Sequence, residues 1–267
     1  MRKIRYFVCC VLILALWFIG SKVANKNFFP GPVSSITALI KLISEGKIFS
    51  HIISSAYRIF FGTLIGSVFA FPIGLILGCS NVADEYVGNI FNILYPIPKV
   101  VFLPIIIVAM GIGDAPKIFL ISLVVFFQLT LCIRDSVRHI PEDIVVSMRS
   151  MHPTLFQYLV HMVIPACIPE FLSGMRGTIG VSTALLFITE NFASVTGLGY
   201  FITKNMDIRK FDEMYAGIIM LAFLGLAFYG IIRYLELKIC KWKYVGSNEK
   251  VNSTLPMKNG LFCDFEE

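Results

Sequence analysis

Met151-His152-Pro153-Thr154-Leu155-Phe156-Gln157-Tyr158-Leu159-Val160-His161-Met162-Val163-Ile164-Pro165-Ala166 is a stretch in which the chain changes solvent. Just upstream lie Arg134, Asp135, Arg138, Glu142, Asp143 and Arg149, too dense a set of charges for hydrocarbon. From Leu155 onward apolar side chains dominate, and Ile164-Pro165-Ala166-Cys167-Ile168-Pro169 leads into an apolar run at 168–188. A structureless connection as long as 134–165 is uncommon, so one or two short helices are expected within it. Asp143 is a candidate cap for the first. Pro153, with Thr154 behind it, is a candidate for the first turn of the second.

Composition extends this reading to the whole chain. Of 267 residues 57% are hydrophobic and 15% charged, and the mean hydropathy is +0.78. A soluble domain carries about 25% charged residues, so most of this surface meets lipid. A membrane-spanning helix needs about 20 mostly apolar residues. Candidates lie at 6–23, 56–77, 87–110, 117–133, 168–188 and 215–235, and the expected fold class is all-α: a polytopic membrane protein of about six transmembrane helices. Gly62, Gly66 and Gly74 suit close helix contact in the second. The third is interrupted by Pro96, Pro98 and Pro104, each of which removes a backbone donor. Irregular backbone at membrane depth is tolerated only inside protein or beside a cavity, so Tyr95-Pro96-Ile97-Pro98-Lys99 is expected at the bundle interior or its edge. The run at 6–23, after Arg2-Lys3-Ile4-Arg5, also has the form of a signal peptide. The weak cleavage site at Ala24 and the later spans favour an uncleaved first helix.

The formal charge is +6, but the basic residues form no single stripe, which argues against nucleic-acid binding. Arg2, Lys3 and Arg5 precede the first run, Arg134, Arg138 and Arg149 share the long connection, and Arg233, Lys238, Lys241 and Lys243 follow or end the last. By the positive-inside rule both termini and the connections 81–86 and 134–165 are cytoplasmic, leaving 24–55, 111–116 and 191–214 outside. Lys22, Lys26, Lys41, Lys47, Lys204 and Lys210 on the outer side make this bias modest. Within 24–55, Pro32 suits a first turn, Gly46 ends the segment, and Ile36, Leu39, Ile40 and Ile43 share a helical face. This short helix is expected at the membrane surface. The transmembrane domain is placed at 1–244, and the polar tail 245–267 is expected to be disordered.

Seven scattered cysteines without a CxxC suggest small apolar residues rather than disulfides or a metal site. His152 and His161 lack companion ligands, so no metal is expected. No GxxxxGK[ST] phosphate loop, Ser-His-Asp set or HExxH occurs, and no catalytic residue is assigned. Glu190 ends the fifth run, and two readings stand: a gate or pathway residue, or a helix-end carboxylate reaching the interface. Arg58 and Lys99 are membrane-proximal cations, for which snorkelling to headgroups is favoured over a place on an anion's path. Glu170, after Pro169, suits a helix N-terminus.

The stretch 151–166 resembles the cytoplasmic "EAA loop" of ABC importer permeases, whose short helix docks into a groove on the ATPase subunit. Phe29-Pro30-Gly31-Pro32, Ser55-Ala56-Tyr57-Arg58-Ile59-Phe60-Phe61-Gly62, Pro96-Ile97-Pro98-Lys99 running to Leu103-Pro104 and Gly111-Ile112-Gly113, and Glu190 followed by Thr196-Gly197-Leu198-Gly199-Tyr200 are similar to the nitrate/sulfonate/taurine branch. The resemblance spans a core of about 29–235. Val146, Ser147 and Met148 stand at the E-A-A positions and His152 at the loop's Gly; His152-Pro153 offers another route to the turn. The resemblance implies the type I ABC importer permease fold and import of a small anion across the cell membrane. It also implies an ATPase subunit, an extracytoplasmic substrate-binding protein and a second permease copy, with ATP on the partner and no cofactor on this chain. It places ATPase coupling at Arg149, His152, Pro153, Leu155, Phe156 and Gln157, and a pathway or gate at Pro96, Pro98, Lys99 and Glu190. An ion-coupled secondary transporter would instead carry ionisable pairs across helices and internal repeats, neither of which is evident. A non-transport integral membrane protein would carry a catalytic cluster.

Overall fold

The computed structural model describes residues 2–24, 28–192 and 194–242; the tail 245–267 lies outside them. Among the described residues the chain is helical, with no strand. We number the helices α1 (Arg2–Ala24), α2 (Pro32–Ser44), α3 (Phe49–Cys79), α4 (Asn81–Leu94), α5 (Lys99–Met110), α6 (Ala115–Arg138), α7 (Glu142–Ser150), α8 (Leu155–Asn191), α9 (Leu198–Asp207) and α10 (Phe211–Ile239). Helices α3, α6, α8 and α10 are long and apolar enough to cross a membrane, and α4 with α5 makes a fifth crossing, bent by 80°. Helix α1 has 23 residues, but its described apolar part, Val11–Val23, is shorter than a span, so the described residues give four or five crossings where about six were expected.

The centre is the α3–α6 pair. Gly62, Gly66 and Gly74 face α6 as expected, and Gly78 extends the row. A Cβ at Gly66 would lie 2.6 Å from the Ser122 carbonyl oxygen, and one at Gly62 2.6 Å from Ile121 Cγ2. The two backbones thus approach as closely as only small residues permit. Ile59 and Ala70 of α3 and Ile121, Val125, Leu129 and Ile133 of α6 form the core, which continues through Leu185 and Leu186 of α8 to Leu198 and Phe201 of α9 and Leu224 of α10. Helix α1 is tied on toward its C-terminal end, where Trp17 stacks on Tyr215 and donates to the Pro30 carbonyl oxygen at 3.2 Å.

Several boundaries differ from expectation. Helix α3 begins at Phe49, because Ser50, His51, Ser54 and Ser55 continue the helix beyond its apolar run. Pro104 does not break the third span. It sits in the first turn of an α-helical segment, where its missing donor is harmless. The break is at 95–98 alone. The connection 134–165 contains the end of α6, all of α7 and the start of α8. Asp143 lies in the first turn of α7 and not at its cap, which is Pro141. Glu170 lies inside α8, away from any helix start. The connection 191–214 holds α9, which hydropathy did not reveal. In α2, Leu39 packs on the core while Ile36, Ile40 and Ile43 stay exposed.

Gly66→Val forces a branched side chain between α3 and α6 and lowers stability by about 1–3 kcal/mol. Gly230→Ala, whose Cβ meets nothing within 4 Å in the interior of α10, raises stability by about 0.5–1 kcal/mol. Thermal unfolding of the detergent-purified chain followed by fluorescence separates the two.

Candidate functional site

Helix α7 ends at Ser150, and its orphan carbonyls at Met148 and Arg149 accept from the backbone N–H groups of Met151 and His152. His152 has φ +49, a left-handed backbone conformation that favours glycine. Thr154 is then the N-cap of α8, with Pro153 preceding the cap rather than inside the first turn. Gln157 N–H donates to Thr154 Oγ1 at 3.3 Å and Thr154 N–H donates to Gln157 Oε1 at 2.9 Å, a capping box. Gln157 is thus committed within its own helix. The cap fixes Leu155 and Phe156 in the first turn, where they are 77% and 75% exposed. Arg149, His152, Pro153 and Leu155 line one groove of about 610 Å³ with Cys79 and Val137. Met162, Val163 and Cys167 of α8 pack with Val145 and Met148, clamping α7 onto the start of α8.

The broken span is held at its corner by Lys99. Its ammonium donates to the carbonyl oxygens of Leu94 and Tyr95 at 2.8 and 2.6 Å. Pro98 lacks the N–H that would have continued the ladder to the Leu94 carbonyl, which also accepts from the Ile97 N–H at 3.2 Å, and Tyr95 stands where the helix ends. The same ammonium lies 4.8 Å from the Phe127 ring centroid, a cation–π contact. Pro96 and Pro98 are exposed at the edge of the bundle.

At the C-terminal end of α8, Arg58 is 2% and Glu190 0% exposed. Arg58 does not snorkel, and Glu190 does not reach the interface. Arg58 Nη1 donates to Glu190 Oε1 at 2.6 Å and to the Thr196 carbonyl oxygen at 2.8 Å; Nη2 donates to Thr196 Oγ1 at 2.9 Å, and Nε to Asp114 Oδ1 at 2.7 Å. Glu190 also accepts from Ser55 Oγ at 2.8 Å and Gly199 N–H at 2.7 Å. Gly197, at φ +116, leaves room for this carboxylate, with which any Cβ there would collide. A second pair lies lower in the bundle: Arg176 of α8 donates to Glu236 of α10 at 2.7 Å. Ionisable pairs across helices are therefore present, contrary to the sequence-based expectation. Arg58 and Glu190 were visible singly, as opposite charges at membrane depth; Arg176 was passed over inside an apolar run. Among the described residues no three potential metal ligands converge.

A helical bundle of this kind, with several apolar spans and one of them broken at paired prolines, is that of a multi-pass membrane protein. Residues 62–241 match the family described as binding-protein-dependent transport system inner membrane component, and the chain belongs to that family. It is 29% identical to the putative aliphatic sulfonates transport permease SsuC of Bacillus subtilis over 87% of this chain and 85% of that one. It is 24% identical to the taurine transport system permease TauC of Escherichia coli (87% and 86%) and 24% identical to the nitrate import permease NrtB of a Synechocystis strain (88% of each). A chain of the MetNI methionine ABC transporter, solved in an inward-facing conformation, shares the fold, with TM-score 0.61 and 17% identity over 71% of this chain and 94% of that one. The type I importer permease fold is thereby established.

Glu190→Ala strands the buried guanidinium and lowers stability by about 3–5 kcal/mol. Asp114→Asn, at a half-exposed carboxylate, lowers it by less than about 1 kcal/mol. Thermal melts of the two variants in the same detergent check this order. His152→Gly relieves the left-handed Cβ clash, about 1–2 kcal/mol, against a glycine entropy cost of about 0.5–1 kcal/mol. A melting point above that of the parent chain is expected.

Proposed function

We propose that this permease is the membrane-spanning subunit of an ATP-driven importer for small oxyanions such as sulfonates, taurine or nitrate, with ATP hydrolysed on a separate subunit that docks at 149–157. The observation that carries this reading is the pair Leu155 and Phe156. Two large apolar side chains are fully presented to solvent at a rigid capped turn, which is a cost without a partner to cover them. The turn is continuous with span α8, so a displacement at Leu155 moves the span as a lever. Gln157 serves this site by holding the cap, and His152-Pro153 by setting the turn. The named relatives serve sulfonate, taurine and nitrate transport, which supports the anion class.

In this reading 81–86 and 134–165 face the cytoplasm, as do both termini, and an extracytoplasmic binding protein delivers substrate to the outer end. A second permease copy completes the pathway. Helix α8 leaves Gly177, Gly180 and Ala184 exposed along one face, a surface of small residues suited to facing its counterpart across a channel. Pro96, Pro98 and Lys99 shape the bend of the α4–α5 elbow beside that channel, and Glu190 with Arg58 closes the outer end as a structural latch. Helices rocking about such contacts alternate access between the two sides.

Leu155→Asp and Phe156→Asp place charge where apolar contact is needed and strip the ATPase from the detergent-purified complex. Each variant recovering it at wild-type stoichiometry overturns the docking assignment.

A further inference from the structure

The Arg176–Glu236 pair is used by neither the docking turn nor the outer latch. Arg176 sits near the middle of Ile164–Asn191, in a segment otherwise lacking charge between Glu170 and Glu190. Its Nη1 donates to Glu236 Oε2 at 2.7 Å and its Nη2 to Ser173 Oγ at 3.1 Å, and the guanidinium lies 5.6 Å from the Tyr229 ring centroid. The Glu236 side chain is 2% exposed, whereas that of Arg176 remains 23% exposed. The carboxylate is thus sealed in, and the cation keeps an open edge. A guanidinium has five N–H donors, more than these two bonds consume. The space beside that edge is free of this chain: a Cβ at Gly177 or Gly180, on the same face of α8, would meet nothing within 4 Å. A charged side chain inside a span faces a cavity or the bundle interior and marks a solute path.

Resting on the importer reading above, we propose that the open edge of Arg176 is an anion contact within the translocation pathway, taking the sulfonate or nitrate oxygens of the passing solute. A planar fork of N–H donors matches two oxygens of such a group. The fixed Glu236 neutralises most of the arginine's charge, which keeps the contact weak. Passage requires a site favourable enough to enter and weak enough to leave. Ser173, hydrogen-bonded to the guanidinium, positions it.

The test uses the complete complex of permease, ATPase and binding protein in liposomes, with radiolabelled taurine, methanesulfonate and nitrate as probes. The double variant Arg176→Gln/Glu236→Gln keeps a neutral hydrogen-bonding pair. For the anion that the wild type takes up, its KM for uptake is expected to rise at least tenfold, with Arg176→Lys falling between the two. A KM within twofold of wild type, in a complex of wild-type yield, overturns the proposal. A second measurement leaves the arginine intact. In Ser173→Cys, labelling of residue 173 by a methanethiosulfonate, read by peptide mass spectrometry, is expected to slow at least threefold at saturating anion, and an unchanged rate overturns the contact. Failure of the wild-type complex to take up any of the three anions with ATP overturns the importer reading itself, and this inference with it. Uptake by wild type with an indifferent double variant overturns this inference alone.

Discussion

The Arg58 guanidinium is buried and makes bonds to Glu190, Asp114 and Thr196, groups carried by segments far apart in the chain. Moving such a charge out of water costs several kcal/mol, and the cost is offset only when its donors are nearly all satisfied with good geometry. That requirement dictates this end of the bundle. Helix α3 must present Ser55 and Arg58 on one side, α8 must end with Glu190 turned inward, and the link into α9 must pass close enough for Gly199 to donate to the carboxylate. Gly197 is the residue that lets the backbone pass there. Shifting any of these segments alone would leave a charge or a donor unpaired, so they hold one another in place.

The same logic explains how a broken span keeps a definite shape. Helices α4 and α5 contribute few residues to the core, with Ile93, Val101, Ile105 and Val108 exposed. They are pinned instead at three polar points. Asp84 pairs with Arg138 at 3.1 Å and Arg134 at 3.4 Å, both on α6. Lys99 ties the corner. Asp114, just beyond α5, reaches Arg58. Polar anchors at the ends and an apolar, uncovered middle suit an element that must meet lipid or another subunit along its length.

The spans were legible in the sequence because lipid imposes a single rule, sustained hydropathy over some twenty residues. The break at 95–98 was legible because two prolines remove donors that lipid cannot replace. What stayed hidden depended on register between helices. Arg58 and Glu190 are both plain in the chain, but their pairing requires knowing that Ser55 and Arg58 face the end of α8. Arg176 looked like an interruption of an apolar run, and only the position of Glu236 on α10 gives it a partner. Helix α9 escaped because its buried Leu198, Phe201 and Ile202 are balanced by Lys204 and Asn205. His152 shows another kind of limit: no glycine marks the turn in the sequence, yet the backbone there is left-handed.

Three features then fall on one helix. Leu155 and Phe156 form its capped lower turn, Arg176 its middle, and Glu190 its upper end. The lower turn joins the apolar part through a π-helical turn at Leu159–Val163, a wider winding that tends to mark functional positions. Above it the helix contains Pro169, whose missing donor removes one rung of the ladder. The lower segment therefore has two places to flex before the glycine-lined stretch. The upper end has none, since Glu190 is gripped from three sides. A push delivered at Leu155 would then swing the lower and middle parts of α8 about a fixed outer end, moving Arg176 more than Glu190. That asymmetry is what an inward-opening pathway with a sealed outer side requires.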